Sequence, residues 1–111
     1  MKKRYEVIWA EAAENDLLKI IKYIVQNNPV DALKILKKIK KQVDNLFLYP
    51  ERCRLVPELY VHGITQYREM IIHPWRVMYR IMGLRVYVLS ILDSRQNIED
   101  ILLKRLIQNI F

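Results

Sequence analysis

Apolar residues recur every three to four positions through two adjoining stretches in the first half of the chain. The first, AEAAENDLLKIIKYIVQNN (residues 10–28), places its apolar side chains on one helical face. The second opens with Asn28 as a good N-cap, Pro29 at the first helical position and Asp31 in the first turn. Because the link is very short, we predict an antiparallel helix hairpin whose second helix spans residues 29–48. The predicted core positions are Ala13, Leu17, Ile20, Ile21, Ile24, Ala32, Ile35, Leu36, Ile39, Val43 and Leu46.

A period of two marks further segments, one before the first helix and the others after Pro50. The strings HPW and GL separate the last three of these segments and predict turns, GL being of the tight hairpin kind. The predicted strands are RYEVIW (residues 4–9), ELYVHGI (58–64), QYREMII (66–72), RVMYRIM (76–82) and RVYVLSIL (85–92). Helical spacing returns in residues 97–111 and predicts a C-terminal helix. Its predicted packing residues are Ile98, Ile101, Leu102 and Leu106.

These elements predict a single α+β domain over residues 1–111. Strands joined by short turns form an antiparallel meander, so we expect an antiparallel sheet of about four strands in the order β-α-α-β-β-β-α. The helix hairpin should cover one sheet face, because both have apolar sides to bury. The other face should stay partly open, with Arg76 and Arg80 projecting from it or from its rim.

Composition adds a strong positive charge to this picture. The 111 residues include 19 Lys and Arg against 12 Asp and Glu, which gives a net charge of +7. A basic domain of this size commonly meets nucleic acid, an anionic membrane or an acidic protein. Cys53 is the single cysteine and cannot form an intrachain disulfide. With neither a signal peptide nor a membrane-spanning apolar stretch in the pattern, we expect a soluble cytoplasmic protein.

Several strings, taken in order, resemble the RelE/ParE superfamily of type II toxin–antitoxin toxins. They are YEVIWAEAAENDLLKIIKYI, NPVDALKILKKI, LYPERCRLVPEL, YREMIIHPWRVMYRI and VYVLSILDSRQNIEDIL, and they cover almost the whole chain. The resemblance implies a small basic bacterial or archaeal protein that arrests growth unless a cognate antitoxin wraps it. RelE-like members cleave mRNA in the ribosomal decoding site, whereas ParE-like members poison DNA gyrase.

The resemblance also implies site residues for the nuclease branch. Glu58 in VPEL would be the general base, and Arg68 in YRE and Arg95 in LDSR would bind phosphate. Arginine suits phosphate binding because its planar guanidinium can donate two parallel hydrogen bonds and stays charged. Because it stays protonated, it cannot act as a base. QNIEDIL lacks the histidine or aromatic acid that such nucleases carry at this point, and His62 and His73 do not lie at the matching place. Neither a cofactor nor a metal is expected.

The contacts to nucleic acid or to a protein target are expected from Arg52, Arg54, Arg76 and Arg80. The closing string ILDSRQNIEDIL favours the ParE-like branch, hence gyrase poisoning by a plasmid-stabilisation toxin. A ribosome-dependent mRNA endonuclease is the alternative, and a basic nucleic-acid-binding domain without toxicity is a third. The expected partners are a cognate antitoxin and either gyrase or the ribosome with mRNA, but no membrane. A homodimer and a toxin–antitoxin hetero-oligomer both stay open.

Overall fold

The computed structural model describes residues 3–108, which form an α+β domain as expected. Two short 3-10 turns, Asn45–Phe47 and Pro50–Arg52, connect the helix hairpin to the sheet. Among the described residues, no helix is both long and apolar enough to cross a membrane. The elements are β1 (Glu6–Trp9), α1 (Glu11–Val25), α2 (Pro29–Asp44), β2 (Arg54–Leu55), α3 (Pro57–Tyr60), β3 (Tyr67–Ile72), β4 (Trp75–Met82), β5 (Arg85–Asp93) and α4 (Ile98–Gln108).

The predicted helix hairpin is confirmed in α1 and α2. The side chain of Asn28 accepts the backbone N–H of Asp31 at 3.2 Å, so the N-cap works as the sequence indicates. The second helix ends at Asp44, earlier than predicted, because the chain tightens into a 3-10 turn. The hairpin residues buried in the core are Ala13, Leu17, Ala32, Ile39 and Val43, and Leu46 in the 3-10 turn after α2 is buried as well.

The sheet has five strands in the order β1-β5-β4-β3-β2. The neighbours among β2, β3, β4 and β5 pair antiparallel, which agrees with the predicted meander, whereas β1 runs parallel to β5, with Glu6 opposite Arg85. The sheet is therefore mixed. The residues of a short strand such as β1 do not encode whether its neighbour runs parallel or antiparallel to it. That direction depends on where the helix hairpin places the rest of the chain relative to β1.

The predicted strand over residues 58–64 is wrong. Pro57 begins the short helix α3, and a turn with Gly63 at a φ of 76° follows it. Proline pre-sets the helical φ and has no N–H to lose at a first helical position. That local preference outweighs the apolar–polar alternation of ELYVHGI, in which Leu59 alone is buried.

The two faces of the sheet both carry a core. One, named here the hairpin face, packs Val77, Tyr79, Val86 and Val88 under α1 and α2. The other, named the α4 face, is covered by α3 and α4 through Val56, Leu59, Met78, Leu92, Ile98 and Leu102. The prediction that one sheet face stays partly open is therefore wrong. The apolar side of α4 must be buried, and because the hairpin already covers one face of the sheet, α4 packs on the other.

Candidate functional site

Arg76 lies at the centre of a charged network on the α4 face. Its Nη1 and Nη2 donate to the two carboxylate oxygens of Glu58 at 2.7 and 2.6 Å, and its Nε donates to Glu69 at 2.6 Å. The second oxygen of Glu69 accepts from Arg54 Nε at 2.6 Å. Two arginines and two glutamates thus neutralise one another, and the Glu69 side chain has no solvent exposure.

This network fixes the ionisation of Glu58. The hydrogen bonds from Arg76 lower the pKa of Glu58, and the same contacts raise the pKa of Arg76. Both oxygens of Glu58 are occupied by the guanidinium. A carboxylate in this state is a weak proton acceptor, so the geometry suits fastening α3 to the sheet better than general base catalysis.

Arg68 projects from the opposite side of the sheet. It stands opposite Tyr79 in the strand register, and its Nη1 donates to the carbonyl oxygens of Cys53 at 2.7 Å and Glu51 at 3.1 Å. The Tyr79 hydroxyl donates to the Pro50 carbonyl at 2.5 Å. Burial raises the pKa of Tyr79, which keeps the hydroxyl protonated as a donor. Arg68 and Tyr79 therefore hold the connecting segment against the hairpin face.

Two further arginines also have partners within the chain. Arg52 Nη1 donates to the carbonyl oxygens of Leu48 at 2.6 Å and Tyr49 at 3.1 Å. Arg95 binds the carboxylate of Asp93 through Nη2 at 2.6 Å and Nε at 2.9 Å. These hydrogen bonds lower the pKa of Asp93 to about 2. The Arg95 side chain is nevertheless 80% exposed, so its outer edge can meet a partner.

A second buried charge cluster joins α1, β5 and α4. Asp16 accepts Arg105 Nη1 at 2.7 Å and Nη2 at 2.9 Å, and it also accepts the backbone N–H of Ile91 at 2.9 Å. Arg105 donates as well to the hydroxyl of Ser90 at 2.7 Å. β1 pairs with β5 only as far as Val88, so the backbone N–H of Ile91 lies beyond the end of that pairing. Asp16 accepts the hydrogen bond that a neighbouring strand would otherwise accept there.

The sequence pattern did not single out this cluster, although one signal was present. Asp16 lies three residues after Ala13 and four before Ile20, within the apolar stripe of α1. A carboxylate on a core stripe implies a buried partner, because an unpaired buried charge is costly. The partner itself could not be named, since Arg105 is 89 residues away.

Comparisons with known proteins identify the family to which this fold and these residues belong. Residues 7–98 match the family described as "ParE toxin of type II toxin-antitoxin system, parDE". This chain belongs to the ParE toxin family. A solved structure described as "Chromosomal ParDE TA system from P. aeruginosa" shares 22% identity with this ParE-family toxin, covering 82% of this chain and 97% of that one with a TM-score of 0.68. A search of curated proteins gave no match.

Membership of the ParE family confirms the resemblance and makes the chain a toxin of a type II toxin–antitoxin system, with a cognate antitoxin as its partner. Of the residues assigned to a nuclease, the structure brings Glu58 next to Arg76 and places Arg68 on the other face. Arg95 follows β5 and pairs with Asp93. Arg80 lies at the edge of the α4 face, with its guanidinium 5.9 Å from the ring centre of Tyr67.

The two histidines considered as acids, His62 and His73, lie in different surroundings. His62 Nε2 is 3.6 Å from a carboxylate oxygen of Glu99 in α4. His73 precedes Pro74 in the turn between β3 and β4, and their peptide bond is cis. Within residues 3–108, no cluster of three or more His, Cys, Asp or Glu side chains is placed to hold a metal ion.

Two grooves flank α1 in this ParE-family toxin. The first, named the α1–α4 groove, has a volume of about 670 Å³. Its lining includes Lys19, Tyr23, Trp75, Arg95 and Arg105. The second, named the hairpin groove, has a volume of about 630 Å³ and runs between α1 and α2. Its lining includes Trp9, Leu18, Ile21, Leu36 and Lys40.

Proposed function

We propose that this toxin arrests growth by poisoning DNA gyrase through binding and that it does not cleave RNA. The observation that carries the proposal is the separation of Glu58, which lies in α3 over the α4 face, from Arg68, which projects from the hairpin face. A base and a phosphate-binding group must reach the same ribose and phosphate. Side chains on opposite faces of one sheet do not meet that requirement.

The chemistry of each group supports the same proposal. Glu58 would have to leave a bidentate ion pair before it could accept a proton, and Arg68 would have to leave two backbone carbonyls before it could bind phosphate. The buried Tyr79 has a raised pKa and donates to a backbone carbonyl, which removes it as an acid for a leaving group. Each of these contacts stabilises the fold and opposes a catalytic role.

A binding mode needs exposed groups, and the α1–α4 groove supplies them. Arg95 is 80% exposed, and Tyr23 beside it is 71% exposed. Aromatic and arginine side chains are the residue types that most often dominate protein interfaces. We assign gyrase contact to this groove, with Arg54, whose side chain is 59% exposed, as a further contact from the other end of the sheet.

The antitoxin is assigned to a different surface. Leu18 is 51% exposed in the hairpin groove, next to the partly buried Ile21 and Leu36. An amphipathic segment laid into such a groove would cover this apolar surface, and acidic residues on its flank would meet Lys40. Disordered antitoxin segments can order themselves on a surface of this kind as they bind.

A side-by-side assay of the purified toxin tests the proposal. One arm contains gyrase with supercoiled DNA and scores double-strand breaks, and the other contains programmed ribosomes and scores mRNA cuts by primer extension. We expect gyrase-dependent breaks with intact mRNA. Cuts that appear in mRNA only when ribosomes are present would contradict the proposal and favour the endonuclease alternative. Inactivity in both arms, with no growth arrest on expression, would favour a non-toxic nucleic-acid-binding domain.

A further inference from the structure

One side of α2 carries a dense positive surface that the assignments above do not use. Four lysines, spaced three and four residues apart, share this side of the helix, which turns away from the buried Ile39 and Val43. They border a shallow depression of about 420 Å³ together with two amide side chains. This surface is named the lysine face. Its members are Lys34, Lys37, Lys38, Lys41, Gln42 and Asn45.

The charge of the lysine face is not neutralised within the part of the chain that the structure describes. The ion pairs among residues 3–108 join arginines or a histidine to carboxylates, and none of these pairs includes a lysine. The acid at the start of α2, Asp31, is held by the Asn28 amide. The acid at its end, Asp44, lines the hairpin groove. Four positive charges are therefore available to an outside partner.

The composition of the lysine face fits a polyanion better than a protein. Protein interfaces derive most of their affinity from apolar and aromatic anchors, and the residues lining this face are lysines and amides. Phosphate oxygens, by contrast, are bound mainly by lysine, arginine and amide donors. The hairpin groove, between α1 and α2, has the opposite character, because its lining includes Leu18, Ile21 and Leu36.

We infer that the lysine face binds the phosphate backbone of duplex DNA. The inference rests on the proposed function, because a gyrase poison acts on an enzyme that holds duplex DNA. From Lys34 to Lys41 the axis of α2 advances about 10 Å. Over that length one strand of B-DNA presents roughly three phosphates. Contacts to phosphate carry no sequence information, so the proposed contact is independent of base sequence.

Fluorescence anisotropy with a short labelled duplex, in the absence of gyrase, tests the inference. Association is measured between about 50 and about 200 mM salt, the range in which counterion release is readily resolved. The test variant replaces Lys34, Lys37, Lys38 and Lys41 with alanine. The control variant replaces Lys3, Arg4, Lys22 and Lys104 with alanine; these residues are exposed, lie outside α2 and carry the same total charge.

Three phosphate contacts correspond to a slope of about −2.7 in the logarithm of the association constant against the logarithm of salt concentration. The test variant should lose most of that slope and bind at least about tenfold more weakly at the low-salt end. The control should keep both the slope and the affinity close to those of the wild type. Circular dichroism should show both variants folded, since each exchange places a strong helix former or a neutral residue on the surface.

Three outcomes would overturn the inference. Equal losses in the test and control variants would assign binding to net charge alone. Tighter binding of single-stranded RNA through the same lysines would assign the face to RNA. Displacement of the duplex by polyglutamate at equal charge concentration would assign it to an acidic protein. Failure of the proposed function gives a different result. If the wild-type protein binds duplex DNA through the lysine face but causes no gyrase-dependent breaks, gyrase poisoning is contradicted and the DNA contact is retained.

Discussion

Arg105 of α4 and Asp16 of α1 form a bidentate ion pair, with N–O distances of 2.7 and 2.9 Å, across 89 residues of sequence. Asp16 is 7% exposed and also accepts the N–H of Ile91 in β5. The pair therefore connects the hairpin that covers one sheet face with the helix that covers the other. Its removal should loosen both layers at once.

The first prediction concerns this pair. Asp16→Asn should lower the free energy of unfolding by about 2–4 kcal/mol, because it leaves a partly buried arginine without its carboxylate. Urea denaturation followed by circular dichroism measures the change. Glu14→Gln, an exposed exchange in the same helix, is the control and should stay within about 0.5 kcal/mol of the wild type. Similar losses in both variants would show that the ion pair contributes little.

The second prediction is a pH dependence at Glu58. Hydrogen bonds from Arg76 make the pKa of Glu58 lower in the folded chain than in the unfolded chain. The resulting stability is fully present above the unfolded pKa and is lost as the pH falls through the lowered folded value. The stability difference between wild type and Glu58→Gln should therefore be large at about pH 7 and small at about pH 3. Denaturation at both pH values measures it.

The matched control for this pH dependence is Glu11→Gln, an exposed exchange at the start of α1. Its stability difference from the wild type should be small at both pH values. A Glu58→Gln difference that grows as the pH falls would contradict the sign derived from the ion pair with Arg76.

The third prediction concerns the Tyr79 hydroxyl. Tyr79→Phe should cost about 1–2 kcal/mol of stability, because it removes a buried hydrogen bond to the Pro50 carbonyl while keeping the ring. Thermal and urea unfolding measure the loss. Tyr23→Phe removes a hydroxyl from a side chain that is 71% exposed and should change stability by less than about 0.5 kcal/mol. Equal effects would mean that the contact with Pro50 is weak.

The fourth prediction separates binding from catalysis. Glu58→Gln, compared with the wild type at equal concentrations of folded protein, should keep gyrase-dependent DNA cleavage, because its carboxylate faces Arg76 and not the target. Arg95→Glu should weaken that cleavage by about fivefold or more, as expected for loss of an exposed interface arginine. The gyrase arm of the side-by-side assay gives both numbers. Full cleavage by Arg95→Glu would remove the α1–α4 groove from the proposed contact surface.

Much of the secondary structure could be read from local patterns. Asn28 and Pro29 mark the start of α2, and the helical spacing of the apolar residues identifies which side of each hairpin helix is buried. Period-two alternation locates β3, β4 and β5 to within one or two residues. These signals are reliable because a cap, a turn and an amphipathic face each depend on neighbours a few residues away.

The candidate site was less predictable for a physical reason. Alternation along β3 implies that Arg68 and Glu69 project from opposite faces, but it does not say what covers each face. The structure buries Glu69 between Arg54 and Arg76 and directs Arg68 to backbone carbonyls. An arginine in a strand looks the same in sequence whether it binds a phosphate, a carboxylate or a peptide oxygen.

The sequence by itself determined the family, the helix hairpin, the α+β class and the lysines spaced along α2. Tertiary structure alone decided that β1 joins the sheet parallel to β5, that α4 closes the second face, and that Asp16 meets Arg105. Local patterns set which side of an element avoids water, whereas the choice of partner depends on distant segments competing for the same apolar surface and the same charges.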